Sequence, residues 1–337
     1  MIVTSTFIFL VVALAAYVLF GGADFGGGLL EASLPGKPEL QKKLQHTLAP
    51  VWEANHVWLI AVVVILFVGF PKAYAGISTL LFFPVSLGLL GIILRGSFFT
   101  FRKYDPDPQP RMGLYSLLFR VSSALTPSCF GFIIAGLLHE FPRLDPEMPP
   151  SFPELYLLPW FNPMGLFCAI FINALFGYLA SVFFWGELDS VEEKDLIRKR
   201  ILLFFLASFV SGALVLLCGW LGHLVSAERV RSLVQLEVQV LAFGGIIWMY
   251  LALRNGKRWQ ARFAAGMQTL AILVGWVNVM VPNVLRYQDG MHLSLQDAAS
   301  PRITLIWLNI GLCIVLSLVL PLLILLYRVF NHPTNQA

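Results

Sequence analysis

The 337-residue chain encodes an all-α, polytopic membrane protein, and three observations predict this class. Its residues are 58% hydrophobic and only 12% charged, with mean hydropathy +0.78, where soluble domains carry about 25% charged residues. Apolar runs of the length needed to cross about 30 Å at 1.5 Å per residue recur nine times, at about 5–27, 55–75, 77–99, 113–138, 163–186, 201–224, 236–253, 262–284 and 303–328. Lysine and arginine also segregate between alternate loops. Residues 1–337 therefore read as a single integral membrane domain.

The first run lacks a basic segment before it and is too long for a cleavable signal, so it reads as a retained helix. Within it, Gly21-Gly22-Ala-Asp-Phe-Gly26-Gly27-Gly28 lacks the spacing, the Lys-Ser/Thr ending and the preceding strand of a phosphate loop. Gly22 and Gly26 instead form a small face on which another helix can pack closely. Residues 37–47 are polar with Leu40 and Leu44 four apart, which predicts a short helix lying in the membrane interface.

The second run opens on Pro50-Val-Trp-Glu-Ala-Asn-His-Val-Trp58, which sets Glu53, Asn55 and His56 at the mouth of a span. A charge inside a bilayer costs roughly 2.5–3.5 kcal/mol, and such groups normally face a bundle interior, a wet cavity or an ion path. Carboxylate, imidazole and amide are groups from which a proton path is built, because they hold protons or orient water. With Asp24 from the first span they form the candidate site. The alternative from the residues alone is that Asp24 and Glu53 lie in the headgroup region, solvated or paired with Lys42, Lys43 or Arg95. Arg95, about two turns inside the end of the third span, either snorkels or pairs with a buried carboxylate, Asp24 or Glu53 being the natural partners. Arg120 in the fourth span is expected to snorkel.

The prolines of 139–162 and the segment 285–302 predict ordered caps on one face. Asn162-Pro163 starts the fifth helix, since proline costs nothing in a first turn. Asn173, Asn278, Asn283 and Asn309 are expected to hydrogen-bond between helices. Cys129, Cys168, Cys218 and Cys313 fall singly in spans with no CxxC, as small buried hydrophobes do. No histidine has a second ligand at helical spacing, so no metal site is expected.

One set of loops and the C-terminal tail carry fifteen lysines and arginines, and the opposite set carries six. This asymmetry predicts an outside N-terminus and a cytoplasmic C-terminus. It also explains the net charge of +4 and pI near 8.9 without a nucleic-acid partner.

Tyr17-Val-Leu-Phe-Gly-Gly-Ala-Asp-Phe-Gly26-Gly-Gly28, Pro50 to Leu59, Phe70-Pro71-Lys-Ala-Tyr74-Ala75 and Leu94-Arg-Gly-Ser-Phe-Phe-Thr-Phe-Arg102 occur in that order. Asn162-Pro163-Met-Gly165 and Leu293 to Ser300 follow. Together these segments resemble subunit II of the cytochrome bd quinol oxidases, from end to end and most specifically in the first hundred residues. The resemblance implies nine helices arranged as two four-helix bundles plus one peripheral helix. It implies a chain that binds no haem itself, stabilises a haem-bearing subunit I carrying two haems b and one haem d, and provides a cytoplasmic-side proton path. The complex would oxidise quinol and reduce O2 to water in a bacterial or archaeal cytoplasmic membrane, building a proton gradient. A structural quinone in some members, a small single-span subunit and membrane lipid complete the implied partners.

By the same resemblance Asp24, Glu53, Asn55 and Arg95 inherit family positions, with Trp52 and Trp58 as motif aromatics, and His56 stands within the cluster. The chain departs from the pattern at Gly21, where an acidic residue is usual, at Glu53-Ala54 in place of Asp-Gly, and at His56 in place of Glu or Gln. The acid expected near Thr100 and the tryptophan expected at Gln296 are absent. Two other classes stay open on these residues: a stand-alone secondary transporter and a non-catalytic assembly paralogue.

Overall fold

The computed structural model describes residues 1–105, 112–142, 149–222 and 233–331, without the side chains of 48–54, 233–239, 242–243, 320 and 323–331. Long helices dominate: α1 (Ile2–Ala32), α2 (Pro38–Gly69), α4 (Phe82–Tyr104) and α5 (Met112–Leu138), then α7 (Pro163–Trp185), α8 (Val191–Leu221), α9 (Leu233–Arg254), α10 (Arg258–Met280) and α12 (Arg302–Asn331). Three short helices, α3 (Pro71–Leu80), α6 (Phe152–Tyr156) and α11 (Leu295–Ala298), lie between them. Among the described residues seven helices are long and apolar enough to cross a membrane, and the bent pair of α2 and α3 makes an eighth. The expected span 236–253 falls in α9, much of whose side-chain description is missing.

Several expected boundaries move for identifiable reasons. The run 55–75 is not one continuous helix: α2 stops at Gly69 and α3 leaves at 113° to it. Proline disfavours helical geometry in the residue before it, and Phe70 accordingly sits at φ −135°, ψ 60° while Pro71 opens α3. The next helix begins at Phe82 instead of 77, after a second break at Leu81. Residues 37–47 form no separate interfacial helix. They are the first turns of α2, and Leu40 and Leu44 are buried in a core shared with Leu30, Phe184, Trp185 and Ile197.

The expected run 262–284 ends at Met280, because Asn283 to Tyr287 form a strand, β2. It pairs in parallel with β1 (Glu140–Phe141) and antiparallel with β3 (His292–Ser294). This three-stranded sheet ties together the two segments expected to form caps. Asn283 is therefore a strand residue and not a helix contact. Ser300 closes the same end of the molecule: its N–H donates to the Gly69 carbonyl at 2.9 Å and its Oγ to the Val68 carbonyl at 2.6 Å.

The helices pack around α1 and α7, which touch each other; α1 also packs on α2, α5 and α12, and α7 on α5, α8 and α10. The glycine face of α1 behaves as expected. Gly22 meets Leu179 and Phe176, and a Cβ on Gly26 would overlap the Phe176 carbonyl oxygen, so the two backbones come as close as glycine permits. Asn162 caps α7 by accepting from the Gly165 N–H at 2.9 Å. Asn173 donates to Ser128 of α5 at 2.8 Å, and Asn309 of α12 donates to Thr6 of α1 at 3.0 Å. Such bonds contribute about 0.6 kcal/mol each in membranes. Asn309→Leu is therefore expected to lower thermal stability only slightly, as a melting curve of the purified protein would show.

Cys129 and Cys168 are buried as expected, but Cys313 is exposed on α12. Rows such as Leu202, Leu206, Phe209 and Leu216 on α8, and Ile303, Ile310, Ile314 and Leu318 on α12, face outward. This is the surface a lipid-embedded chain presents.

Candidate functional site

Four helices meet at the site: the C-terminal halves of α1 and α4, the middle of α2 and the N-terminal half of α5. Asp24 on α1 is fully buried, and Arg95 on α4 is 3% exposed. The Arg95 Nη2 donates to Asp24 Oδ1 at 2.5 Å and to the Asp24 carbonyl at 2.8 Å. The expected pairing of Arg95 with a buried carboxylate is thus met by Asp24. Phe25 and Phe119 lie against the guanidinium, each with its ring centroid 5.1 Å from Cζ, where the ring faces attract a desolvated cation.

Asn55 is fully buried beside Asp24, its amide atoms 3.1 Å from where a Cβ on Gly21 would stand. The space of the acidic residue that the family resemblance expects at Gly21 is therefore filled by the Asn55 amide. His56 is half-buried and within the electrostatic reach of Arg95. Trp58 is buried in the core with Tyr17, Phe25 and Ile65. The side chains of Trp52 and Glu53 lie outside the described residues, and only their place in α2 is established.

The helices that meet here bury more polar atoms than the protein itself satisfies. Tyr17 Oη, Asp24 Oδ2, both amide atoms of Asn55, Trp58 Nε1, Ser123 Oγ, and Nε and Nη1 of Arg95 are buried without a hydrogen bond of normal geometry. Pro127 adds to this on α5. It has no N–H to give the Ser123 carbonyl four residues earlier.

Sequence reasoning missed a second ionic cluster one step further along. Glu31, 1% exposed, receives Arg102 Nη2 at 3.0 Å, Arg120 Nε at 2.9 Å and Gln45 Nε2 at 3.3 Å. Arg120 therefore does not snorkel freely; its guanidinium is drawn inward by a carboxylate of another helix. The overlooked signal is the spacing, since Glu31 follows Asp24 by two turns and Arg102 follows Arg95 by two turns.

A many-helix membrane protein with charged pairs sealed in its interior is the class that this fold and site define. The chain belongs to the family of cytochrome bd terminal oxidase subunit II, whose model matches residues 2–330. It is 31% identical over 144 residues to the cytochrome bd ubiquinol oxidase subunit 2 of Bacillus subtilis (strain 168), an alignment covering 42% of this chain and 41% of that one. Over 160 residues it is 24% identical to the cytochrome bd-I ubiquinol oxidase subunit 2 of Escherichia coli (strain K12), covering 47% and 42% of the two chains. These alignments span about two fifths of the relatives' lengths. The fold matches a chain of the bd oxidase from Geobacillus thermodenitrificans with a TM-score of 0.78 at 18% identity, covering 98% of both chains.

Proposed function

We propose that this chain is the haem-free subunit of a bd-type quinol:O2 oxidoreductase, scaffolding a haem-bearing partner and conducting cytoplasmic protons toward it for the reduction of O2 to water. The N-terminus lies outside and the C-terminus in the cytoplasm of a bacterial or archaeal cell. In this reading haems b and d belong to the partner, and quinol and O2 are substrates of the complex.

The observation that carries the reading is the buried Asp24–Arg95 pair, with the Asn55 amide beside the carboxylate and the buried, unpartnered Tyr17 hydroxyl near both charges. Buried polar groups of this kind are satisfied by ordered water. Water held between a carboxylate and neighbouring hydroxyl and amide groups passes protons without moving the backbone. Asp24 holds the proton-accepting oxygen Oδ2, Arg95 fixes the carboxylate through Oδ1, and Asn55 orients what lies between Asp24 and the start of the span. Glu53, two residues before Asn55 on α2, is the proton-accepting group nearest that mouth in sequence. His56, next to Asn55 on α2, completes the proposed path.

Glu53→Gln is expected to slow O2 consumption by the purified complex while leaving its yield and haem spectrum unchanged. Full turnover in that variant would remove the proton role of Glu53 and leave a scaffold. Isolation of the native complex tests the wider reading. Co-purification with a haem-bearing chain showing a d-type absorption band supports it, whereas a stable haem-free single polypeptide favours a transporter.

A further inference from the structure

We propose that Glu31 is a positioning residue that sets the register of α4 on α1 and so holds Arg95 against Asp24. Asp24 and Glu31 stand seven residues apart on α1, and Arg95 and Arg102 stand seven apart on α4. Their pairing in the same order, Asp24 with Arg95 and Glu31 with Arg102, makes the two helices parallel here. Seven residues are two turns, about 10.5 Å along each axis, so the pairs form two rungs of one ladder. Sliding α4 by a single turn would break both rungs together.

The rungs share a spacer. Phe119 of α5 lies under both guanidiniums, with its centroid 5.1 Å from the Cζ of Arg95 and 4.7 Å from that of Arg102. Two like charges on one buried ring repel unless each has its own carboxylate. Arg102 is 7% exposed at its side chain, so water cannot substitute for Glu31. Without the Glu31 charge, Arg102 is left uncompensated beside Arg95, and their repulsion across Phe119 works against the register that holds Arg95 on Asp24.

Glu31 is also suited to fix a register because it touches three helices besides its own. Gln45 reaches it from α2, Arg102 from α4 and Arg120 from α5, while Gln41 donates to the Leu34 carbonyl just beyond α1 at 2.8 Å. The four helices that build the candidate site are tied at this one carboxylate.

The effect on turnover rests on the proton path proposed above; the register itself does not. The test uses the purified two-subunit complex carrying E31Q, E31D, R102Q or E31Q/R102Q, with O2 consumption and thermal unfolding as readouts. E31Q is expected to lower turnover about tenfold, and because neighbours in one ionic network couple non-additively, E31Q/R102Q is expected to recover at least about threefold of that loss. E31D, which keeps the charge, is expected to restore most of the turnover. If E31Q does not assemble, recovery of assembly in E31Q/R102Q is the expected result.

Additive behaviour of the two substitutions in both turnover and unfolding midpoint overturns the proposal, as does failure of the double variant to assemble where the single one fails. D24N separates the two readings. Wild-type turnover in D24N sinks the proton path, and the Glu31–Arg102 coupling is then judged from the unfolding midpoint alone.

Discussion

Arg95→Ala is expected to abolish accumulation of the assembled complex. The substitution leaves the Asp24 carboxylate fully buried without the guanidinium that now bonds both its Oδ1 and its backbone carbonyl. Breaking a buried pair from one side costs about 3–5 kcal/mol, a large share of the 5–15 kcal/mol that holds a typical domain folded. Replacing both partners by apolar groups of similar volume is frequently neutral. The double variant Asp24→Leu with Arg95→Met should therefore recover yield while turnover stays low, because the oxygen proposed to hold the proton has gone. Yield is read from haem-bearing complex per gram of membrane, and turnover from O2 consumption. Normal yield from Arg95→Ala alone would count against the pair as a structural tie.

Gly26→Val is expected to be as damaging by a different route. A Cβ at Gly26 overlaps the Phe176 carbonyl oxygen, lies 2.5 Å from that carbonyl carbon and 2.8 Å from the Ala180 Cβ. Most of these are backbone atoms, which have no alternative rotamer. The α1–α7 crossing must open, and every contact along it loosens, including those of Gly22 with Leu179. Overpacking a core costs typically 1–3 kcal/mol when side chains can yield, and here about 3 kcal/mol or more is expected because they cannot. Gly266→Ala is the control. Its Cβ would find only Leu19, at 3.8 Å, and alanine is favoured over glycine inside a helix by about 1 kcal/mol, so its unfolding midpoint should stay level or rise.

Much of this arrangement is legible in the sequence, for reasons that also explain what is not. Hydropathy finds helices because a lipid-facing residue must be apolar wherever the chain turns. It narrows the partner of Arg95 to Asp24 or Glu53 because a cation at that depth has few carboxylates to choose from, and the structure selects Asp24. The Gly22 and Gly26 face is legible because only a close neighbour needs small residues at that spacing. Hydropathy does not see the break at Phe70, since the apolar residues continue across it and only Pro71 marks it. The small sheet is hidden because strands as short as Glu140–Phe141 leave no periodicity.

Glu31 escapes for a related reason. The expected span closes at residue 27, yet α1 continues to Ala32, where the neighbouring helices provide the polar partners that water would otherwise give. Arg120 shows the same effect from the other side. Its depth on α5 reads as a side chain reaching for the headgroups, and nothing local announces a carboxylate 89 residues earlier in the chain. Leu40 and Leu44 read as a lipid-facing stripe because four-residue spacing does not say what covers it. In the structure the cover is protein.

The two bonds from Ser300 to the end of α2 join residues as much as 232 positions apart. During synthesis α2 enters the membrane long before its distant partner exists, and carbonyls left unanswered in hydrocarbon cost several kcal/mol each. A chain ending before Ser300 would keep that open end. The stitch therefore closes late in synthesis, once the segment ahead of the last helix has been made.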